Sequence, residues 1–399
     1  MCPETGAPER RLNVSASARQ VEKPMAELRV LIAAGGTGGH IFPALAVAEE
    51  LRSRYTISVG SEEASRACRI DFLGAGREIE RRVIPAAGFP LNVVRAAGLK
   101  GIGGWRKVRN LLVLPASFWE TGKLLRSLRP HVVVGLGGYV GGPVMLLAAI
   151  RGIPTILIEP NARPGFTNRA LAPFIRVAAL GFEAAAPFYG SKAQVTGHPV
   201  RAEFNRVAAK DHTPPYTILV LGGSQGSSAI NNAVCESLPL FARVQDRVRI
   251  VHQTGARDAE RVLSAYQAAG INGCVRSFID DVPKSLGETD LVISRSGAST
   301  VAELAAAGKA SLLIPFPDAA DNHQLANAQA LERAGGAQVL EQRNLTPQRL
   351  FEEAIHLCRP ETLRAMEAAA RTLARPGAAA RIADLIEDLA RKNNQKRQV

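Results

Sequence analysis

Three glycine-rich turns hold the residue types that could do chemistry: GGTGGH (35–40), GLGGYVGGP (135–143) and GGSQG (222–226). Each follows an apolar run and precedes a helical pattern. A glycine turn between a strand and a helix brings backbone N–H groups and the positive end of a helix dipole to one point, which suits a phosphate. The first and third turns do not complete GxGxxG, because Ile41 and Ser227 occupy the last place, so the dinucleotide fingerprint is absent. No GxxxxGK[ST] and no D-x-D pair occurs. The pattern therefore points to phosphate binding with neither a P-loop nor the acidic pair that chelates a nucleotide-sugar metal, and no metal site is expected. A tight βα connection would explain any one such turn. Three of them at strand ends favour a shared cleft, since ligands of α/β folds sit at the carboxyl ends of strands.

Particular side chains near these turns suit acid–base and electrostatic work. Ser224 can donate to a phosphate while the helix starting near Gly226 aims its dipole at the same group. An N-cap serine has the same signature, and the two roles are compatible. His40 ends the first turn at a helix start, where the dipole lowers the imidazole pKa and favours a neutral ring that can accept a proton. The alternative is a neutral histidine that orients the loop or binds a pyrophosphate. Glu159 ends an apolar strand, could share the cleft, and is the rival base.

The elements that must position these residues occur twice. LRVLIAA (28–34), the first turn and PALAVAEELRS (43–53) run strand–turn–helix, as do TILVLG (217–222), the third turn and SAINNAVCESL (228–238). Further apolar strands are expected at 131–136 and 155–159, then at 249–254, 290–294 and 310–315. Strands alternating with helices predict parallel α/β sheets, and the repeat predicts two Rossmann-like domains, 28–201 and 202–376. The junction falls in the polar stretch Gly197 to Pro215. From Pro376, the spacing of Ile382, Leu385, Ile386 and Leu389 predicts a helix over about 377–392 that packs back on the first domain. Residues 1–27 lack an apolar signal-peptide core and read as a disordered extension.

Composition narrows the class. At 399 residues and 46% hydrophobic, the chain can bury two ordinary cores. Its five cysteines show neither CxxC nor Cys/His spacing, which suggests no zinc site or disulfide framework and fits a reducing compartment. The uncharged run Val132 to Ile150 contains five glycines and a proline, so it should break into strand, turn and helix rather than cross a membrane. The net charge of +13 is lopsided: residues 28–201 carry 22 basic and 10 acidic side chains, a net +12, whereas 202–399 carry 23 and 22. A uniform bias would charge both halves, so the first half should face an anionic partner. Within it, GGWRKVRNLLVLPASFWE (103–120) sets Trp105, Arg106, Lys107 and Arg109 beside a run of leucines. An apolar face rimmed by cations suits an anionic membrane surface; the alternative is an ordinary helix packed on the sheet. The pI near 10.0 raises nucleic-acid binding as a rival. Aromatics of only 5% and the lack of a recognised module argue against it.

These motifs, in this order, resemble the MurG family of bacterial transferases, which move N-acetylglucosamine from its UDP donor to a membrane-bound muramyl-pentapeptide pyrophosphoryl lipid. The resemblance spans roughly residues 28–390. It is carried by GGTGGHIFPALA (35–46), GLGGYVGGP (135–143), EPNARPGFTNR (159–169), GHPVR (197–201), LGGSQGSSAIN (221–231), FIDD (278–281), SRSGASTVAEL (294–304) and PFPDAADNHQLANA (315–328). Pro160 departs from the family's usual Glu-Gln-Asn, leaving Asn161 in place.

The resemblance implies a GT-B fold, with the donor on the second domain and the acceptor on the first. It also implies inverting transfer to a C4 hydroxyl, in peptidoglycan biosynthesis at the cytoplasmic face of the inner membrane. UDP-GlcNAc is then a substrate, no cofactor is needed, and the partners are the lipid-linked acceptor and an anionic bilayer, not nucleic acid. An α-linked donor and a β-linked product would need a base near the acceptor hydroxyl, for which His40 is the candidate. Glu303 would accept from the ribose hydroxyls, with Ala298, Ser299, Thr300, Val301 and Ala302 lining the nucleotide site. However, Thr300-x-x-Glu303 also spells a helix capping box. Ile279 would read uracil through its backbone, His323 and Gln324 the sugar hydroxyls, and Thr37, Gly38, Gly39, Asn161 and Arg201 are matched donor-side positions. A UDP-sugar epimerase, or a transferase acting on diacylglycerol, shares the fold; GGTGGH together with NHQ argues against both.

Overall fold

The computed structural model describes residues 27–35, 38–56, 67–94, 104–223, 225–271 and 273–398, leaving aside the side chains of 104–115, 139 and 396–398. Within these, one parallel sheet comprises β1 (Glu27–Ala33), β2 (Ala67–Gly74), β3 (Leu91–Val93), β4 (Val132–Gly135), β5 (Thr155–Glu159), β6 (Val177–Leu180) and β7 (Ala193–Val195). A second comprises β8 (Tyr216–Leu221), β9 (Val248–Gln253), β10 (Cys274–Arg276), β11 (Leu291–Ser294), β12 (Ser311–Leu313) and β13 (Ala337–Val339). Their orders are β3-β2-β1-β4-β5-β6-β7 and β10-β9-β8-β11-β12-β13. The same winding thus occurs twice, and in each sheet it reverses between the first and fourth strands, where α/β folds open a crevice.

The central strands are apolar on both faces because helices cover both. Val30 and Ile32 of β1 pack with Ile41, Ala44 and Val47 of the helix Gly38–Thr56. Leu31 and Ala33 point the other way, toward Val140, Val144 and Ala148 of the helix Gly138–Ile150. In the second sheet Ile218 and Val220 meet Ile230, Val234 and Leu238 of the helix Ser228–Ala242, while Leu219 and Val292 meet Val301 and Leu304 of the helix Ala298–Ala307. The last helix, Ala378–Gln398, returns to the first sheet and inserts Ile382, Ala383, Ile386 and Ala390 into its core. Arg54 fastens it there, reaching Asp384 Oδ1 at 2.8 Å and Glu387 Oε2 at 2.9 Å.

Several local expectations shift. Glu27 opens β1, so the reading of residues 1–27 as an extension ends one residue too late; the rest of that segment lies outside the described residues. The first helix begins at Gly38 rather than at Pro43, which places His40 in its opening turn. The GLGGYVGGP motif is a turn only as far as Gly137, and its last glycines and Pro143 are helical. The run from Val132 to Ile150 does divide into strand, turn and helix, and among the described residues no helix is long and apolar enough to cross a membrane. From Gly104 on, the apolar-basic segment lies on one helix, Gly104–Leu128. The side chains of Trp105, Arg106, Lys107 and Arg109 are outside the described residues, but Trp119 further along is 63% exposed beneath the Lys123 ammonium, 3.7 Å from its ring centroid.

Candidate active site

The carboxyl ends of the two sheets face each other across a cleft of about 690 Å³. The first half supplies Gly38, Gly39, His40, Phe42, Pro160 and Asn161; the second supplies Gly223, Gln253, Ile279, Ser299, Glu303 and Gln324 among others. Glycine is obligatory where the turns pack most tightly. Gly226 has φ of +75°, and a Cβ there would lie 1.9 Å from the Thr254 carbonyl oxygen. A Cβ on Gly35 would lie 2.8 Å from Val140 Cγ2, so the bare backbone lets the first turn pack against the helix that follows the second.

His40 lines the cleft with its Nδ1 buried and without a hydrogen-bond partner among the described residues. Burial lowers its pKa; the Gly35 backbone opposes this in part, and His323 across the cleft adds to it. The ring is therefore neutral at neutral pH and able to accept a proton. On the other wall, the helix Ala298–Ala307 is capped by Gly297, with no side-chain bond. Thr300 thus sits inside the helix and cannot cap it, so the capping-box alternative for Glu303 fails. Glu303 lines the cleft, and burial pushes its pKa up to about 7, against the pull of Arg201.

The walls are stapled together beside the cleft. Asn327, fully buried, accepts from Ala162 N at 2.8 Å and donates from Nδ2 to Asn161 Oδ1 at 3.1 Å and Ser296 O at 3.3 Å. Asp321 accepts from Phe166 N at 3.3 Å and pairs with Arg169 at 3.4 Å. His198, buried in the segment between the sheets, reaches Ser299 Oγ at 3.1 Å.

Residues 30–179 match the glycosyltransferase family 28 N-terminal domain, and residues 217–389 match the family's C-terminal domain. The chain belongs to glycosyltransferase family 28. A relative from Anaeromyxobacter sp. (strain Fw109-5), named UDP-N-acetylglucosamine--N-acetylmuramyl-(pentapeptide) pyrophosphoryl-undecaprenol N-acetylglucosamine transferase, is 44% identical over 370 residues, 92% of this chain and 94% of its own length. One of the same name from Solibacter usitatus (strain Ellin6076) is 42% identical over 92% of this chain and 98% of its own length. The crystal structure of Acinetobacter baumannii MurG aligns with a TM-score of 0.73 at 30% identity, covering 90% of this chain and 99% of that one. Two parallel sheets opening toward one cleft are the GT-B arrangement.

In this family 28 chain the cleft gathers most of the expected residues, but not all. Ala298, Ser299, Thr300, Glu303, His323, Gln324, Ile279, Asn161, Gly38, Gly39 and His40 line it. Thr37 and Ser224 fall outside the described residues. Val301 is fully buried in the core and Ala302 lines a small cavity with His198, because five consecutive helical residues cannot share one face. Arg201 stands near Glu303 but packs its guanidinium over Phe204, 5.2 Å from the ring centroid.

Glu159 is the clearest correction. Its carboxylate has no exposure and accepts from Asn161 N and Nδ2 at 3.0 and 3.2 Å, Asn168 Nδ2 at 2.6 Å and Tyr189 Oη at 3.3 Å. Burial raises its pKa against these four donors. It anchors the loop that presents Pro160 and Asn161, and does not itself reach the cleft.

Gln253 and Arg295 were not anticipated. Gln253 donates from Nε2 to Gly223 O at 2.9 Å and Ser277 O at 3.2 Å, tying the third glycine turn to the loop that carries Ile279. Its one sequence signal is a polar residue ending an apolar strand. Arg295 donates to Ile314 O and Pro315 O and to Gln342 Oε1, holding the PFPD loop, and burial lowers its pKa to about 10. Phe42 and Phe278, about half exposed at the cleft, have no signal that separates them from core phenylalanines.

Proposed function

We propose that the chain transfers N-acetylglucosamine from UDP-GlcNAc to the C4 hydroxyl of a lipid-linked muramyl-pentapeptide pyrophosphate, with inversion, as a step of peptidoglycan biosynthesis. The observation that carries this reading is the facing of His40 by Ile279, Glu303 and Gln324 across one cleft, in a chain 44% identical over nearly its whole length to a relative of that name. UDP lies on the second domain, about 202–376, and the acceptor on the first, about 28–201, to which the final helix returns. Ile279 suits uracil: it is fixed in a loop, and neither its N–H nor its carbonyl has a backbone partner among the described residues. Ionised Glu303 accepts from the ribose hydroxyls, and His323 and Gln324 meet the sugar. The turn at 222–226, with Ser224 and the dipole of the helix Ser228–Ala242, faces the diphosphate.

Neutral His40 takes the proton as the acceptor oxygen attacks the anomeric carbon from the side opposite UDP. The bond to UDP breaks, and the charge that develops on the leaving diphosphate meets preoriented donors. The helix Gly104–Leu128 and the positive first half rest on the anionic cytoplasmic leaflet, so the enzyme is peripheral to the membrane. The test is transfer of labelled N-acetylglucosamine from UDP-GlcNAc to a lipid-linked muramyl pyrophosphate. Turnover of UDP-GlcNAc to a C2 epimer, with no sugar appearing on the lipid, would replace this reading with the epimerase.

A further inference from the structure

A second cavity, of about 520 Å³, lies on one face of the second sheet, apart from His40 and Glu303. Its floor follows from strand alternation and register: Thr217 and Leu219 of β8 lie beside Arg249 and Val251 of β9, and Val251 lies beside Cys274 of β10. Parallel sheets normally have both faces covered. Here the crossover from β10 to β11 contains only the six-residue helix Val282–Gly287, too short to cover β9 and β10, and a groove remains.

The groove's charge is uneven. Arg249 and Arg276 line it, and neither has an acidic partner among the described residues; Arg276 Nε touches only Cys274 Sγ, at 3.3 Å. Lys210 is held by Asp290, and Glu288 is the one acidic residue in the lining among the described residues. Arg276 pairs in register with Gln253, four residues beyond Arg249, so the two guanidinium-bearing residues stand about 13 Å apart along the strands. Leu219, Val251 and Ile279 form an apolar stretch in the same groove. Ile279 also lines the catalytic cleft, so the two cavities share a wall.

We propose that this groove binds a small elongated organic dianion, with carboxylate or phosphate groups at its ends and an apolar body between, and that its occupant tightens nucleotide binding by bracing the Ile279 loop. Two separated guanidinium groups select two separated anions, and the apolar middle rejects a fully hydrated one. A ligand that braces the loop favours the nucleotide-bound state, and by reciprocity UDP favours the ligand.

Cys274, half-buried in the groove, reports occupancy locally, with Cys235 elsewhere in the same domain as internal reference. The probe is azelate, a nine-carbon dicarboxylate, against nonanoate, which has one charge, in the full chain with and without saturating UDP. Iodoacetamide labelling of each cysteine is followed by peptide mass spectrometry. We expect azelate to slow labelling of Cys274 at least threefold relative to Cys235, with UDP present, and nonanoate to have little effect. The Arg249→Gln/Arg276→Gln variant should lose the protection while keeping its melting temperature. Azelate should also lower the Kd for UDP at least twofold in the wild type and not in the variant. No protection in the wild type, protection that survives in the variant, or protection abolished by UDP overturns the site. Protection with an unchanged UDP Kd overturns the link through Ile279.

Discussion

The two halves share one winding and use it differently. Both place a glycine turn after their first strand, at the point where the strand order reverses. The first half brings backbone, one imidazole, the Asn161 carboxamide and the Phe42 ring to the cleft, and carries net +12. The second brings a carboxylate, two carboxamides and a second imidazole, Glu303, Gln253, Gln324 and His323, and carries about +1. One topology therefore decides where a ligand can sit, while the side chains at the strand ends decide what each wall does with it. A wall with a base and a positive outer surface suits an acceptor at a membrane. A wall of hydrogen-bonding groups on a nearly neutral domain suits a soluble nucleotide sugar.

The comparison breaks most readily at His40. His40→Ala should reduce kcat by about 10²–10⁴, the scale of a lost general base, while changing the Kd for UDP less than threefold. A variant that transfers normally would leave His40 as a loop-orienting residue. Replacing Arg106, Lys107 and Arg109 with Gln should remove about 1 kcal/mol of attraction to anionic vesicles per cation. Activity on a short, water-soluble acceptor should survive. Equal co-sedimentation of the wild type and the triple variant on anionic vesicles would mean that the helix Gly104–Leu128 is not the membrane face.

On the donor wall, Glu303→Ala should weaken UDP binding by about 1–3 kcal/mol. The pH dependence has a definite sign. With its pKa near 7, free Glu303 is protonated below that pH and must ionise to accept from the ribose, so UDP affinity should rise up to about pH 7 and then level off. Calorimetry on Glu303→Gln should show a flat profile. A raised carboxyl pKa also means that the ligand-free fold binds this proton better than the unfolded chain does. Its stability should therefore fall as pH rises from about 4.5 through 7, and Glu303→Gln should relieve this by on the order of 1 kcal/mol at pH 8. Asn327→Ala removes three hydrogen bonds, two of them buried, at the staple between the walls and should cost about 1–3 kcal/mol in denaturant stability while raising the KM for UDP-GlcNAc. The smallest effect is expected from EDTA, since the proposed diphosphate site is the glycine turn before the helix Ser228–Ala242 and its dipole. Loss of transfer on chelation, restored by magnesium or manganese, would overturn that account of leaving-group stabilisation.

The features legible in the sequence were those encoded locally. The glycine turns could be placed because close approach and positive φ at Gly137 and Gly226 admit little else. The strands Thr155–Glu159 and Leu291–Ser294 were visible because strands buried on both faces read as unbroken apolar runs. Charge asymmetry needs only counting. The short outer strands Leu91–Val93, Ala193–Val195, Cys274–Arg276 and Ala337–Val339 escaped, since three residues carry no period and pair only because a neighbour is already in place.

Tertiary structure decided the roles that depend on distant partners. Glu159 and Glu303 are each a carboxylate near a glycine motif, and nothing local separates them. Glu159 became an anchor because Asn168 and Tyr189, nine and thirty residues away, donate to it in a sealed core. Glu303 lines the cleft because its helix follows β11, at the reversal of strand order in the second sheet, opposite His40 of the first half. Asn327 staples the walls through Ala162, 165 residues distant, a contact that no spacing within either motif could reveal. Backbone conformation is a short-range property that residue type can encode, whereas burial and hydrogen-bond partnership belong to the assembled molecule, and these determine which of two similar side chains can meet a substrate.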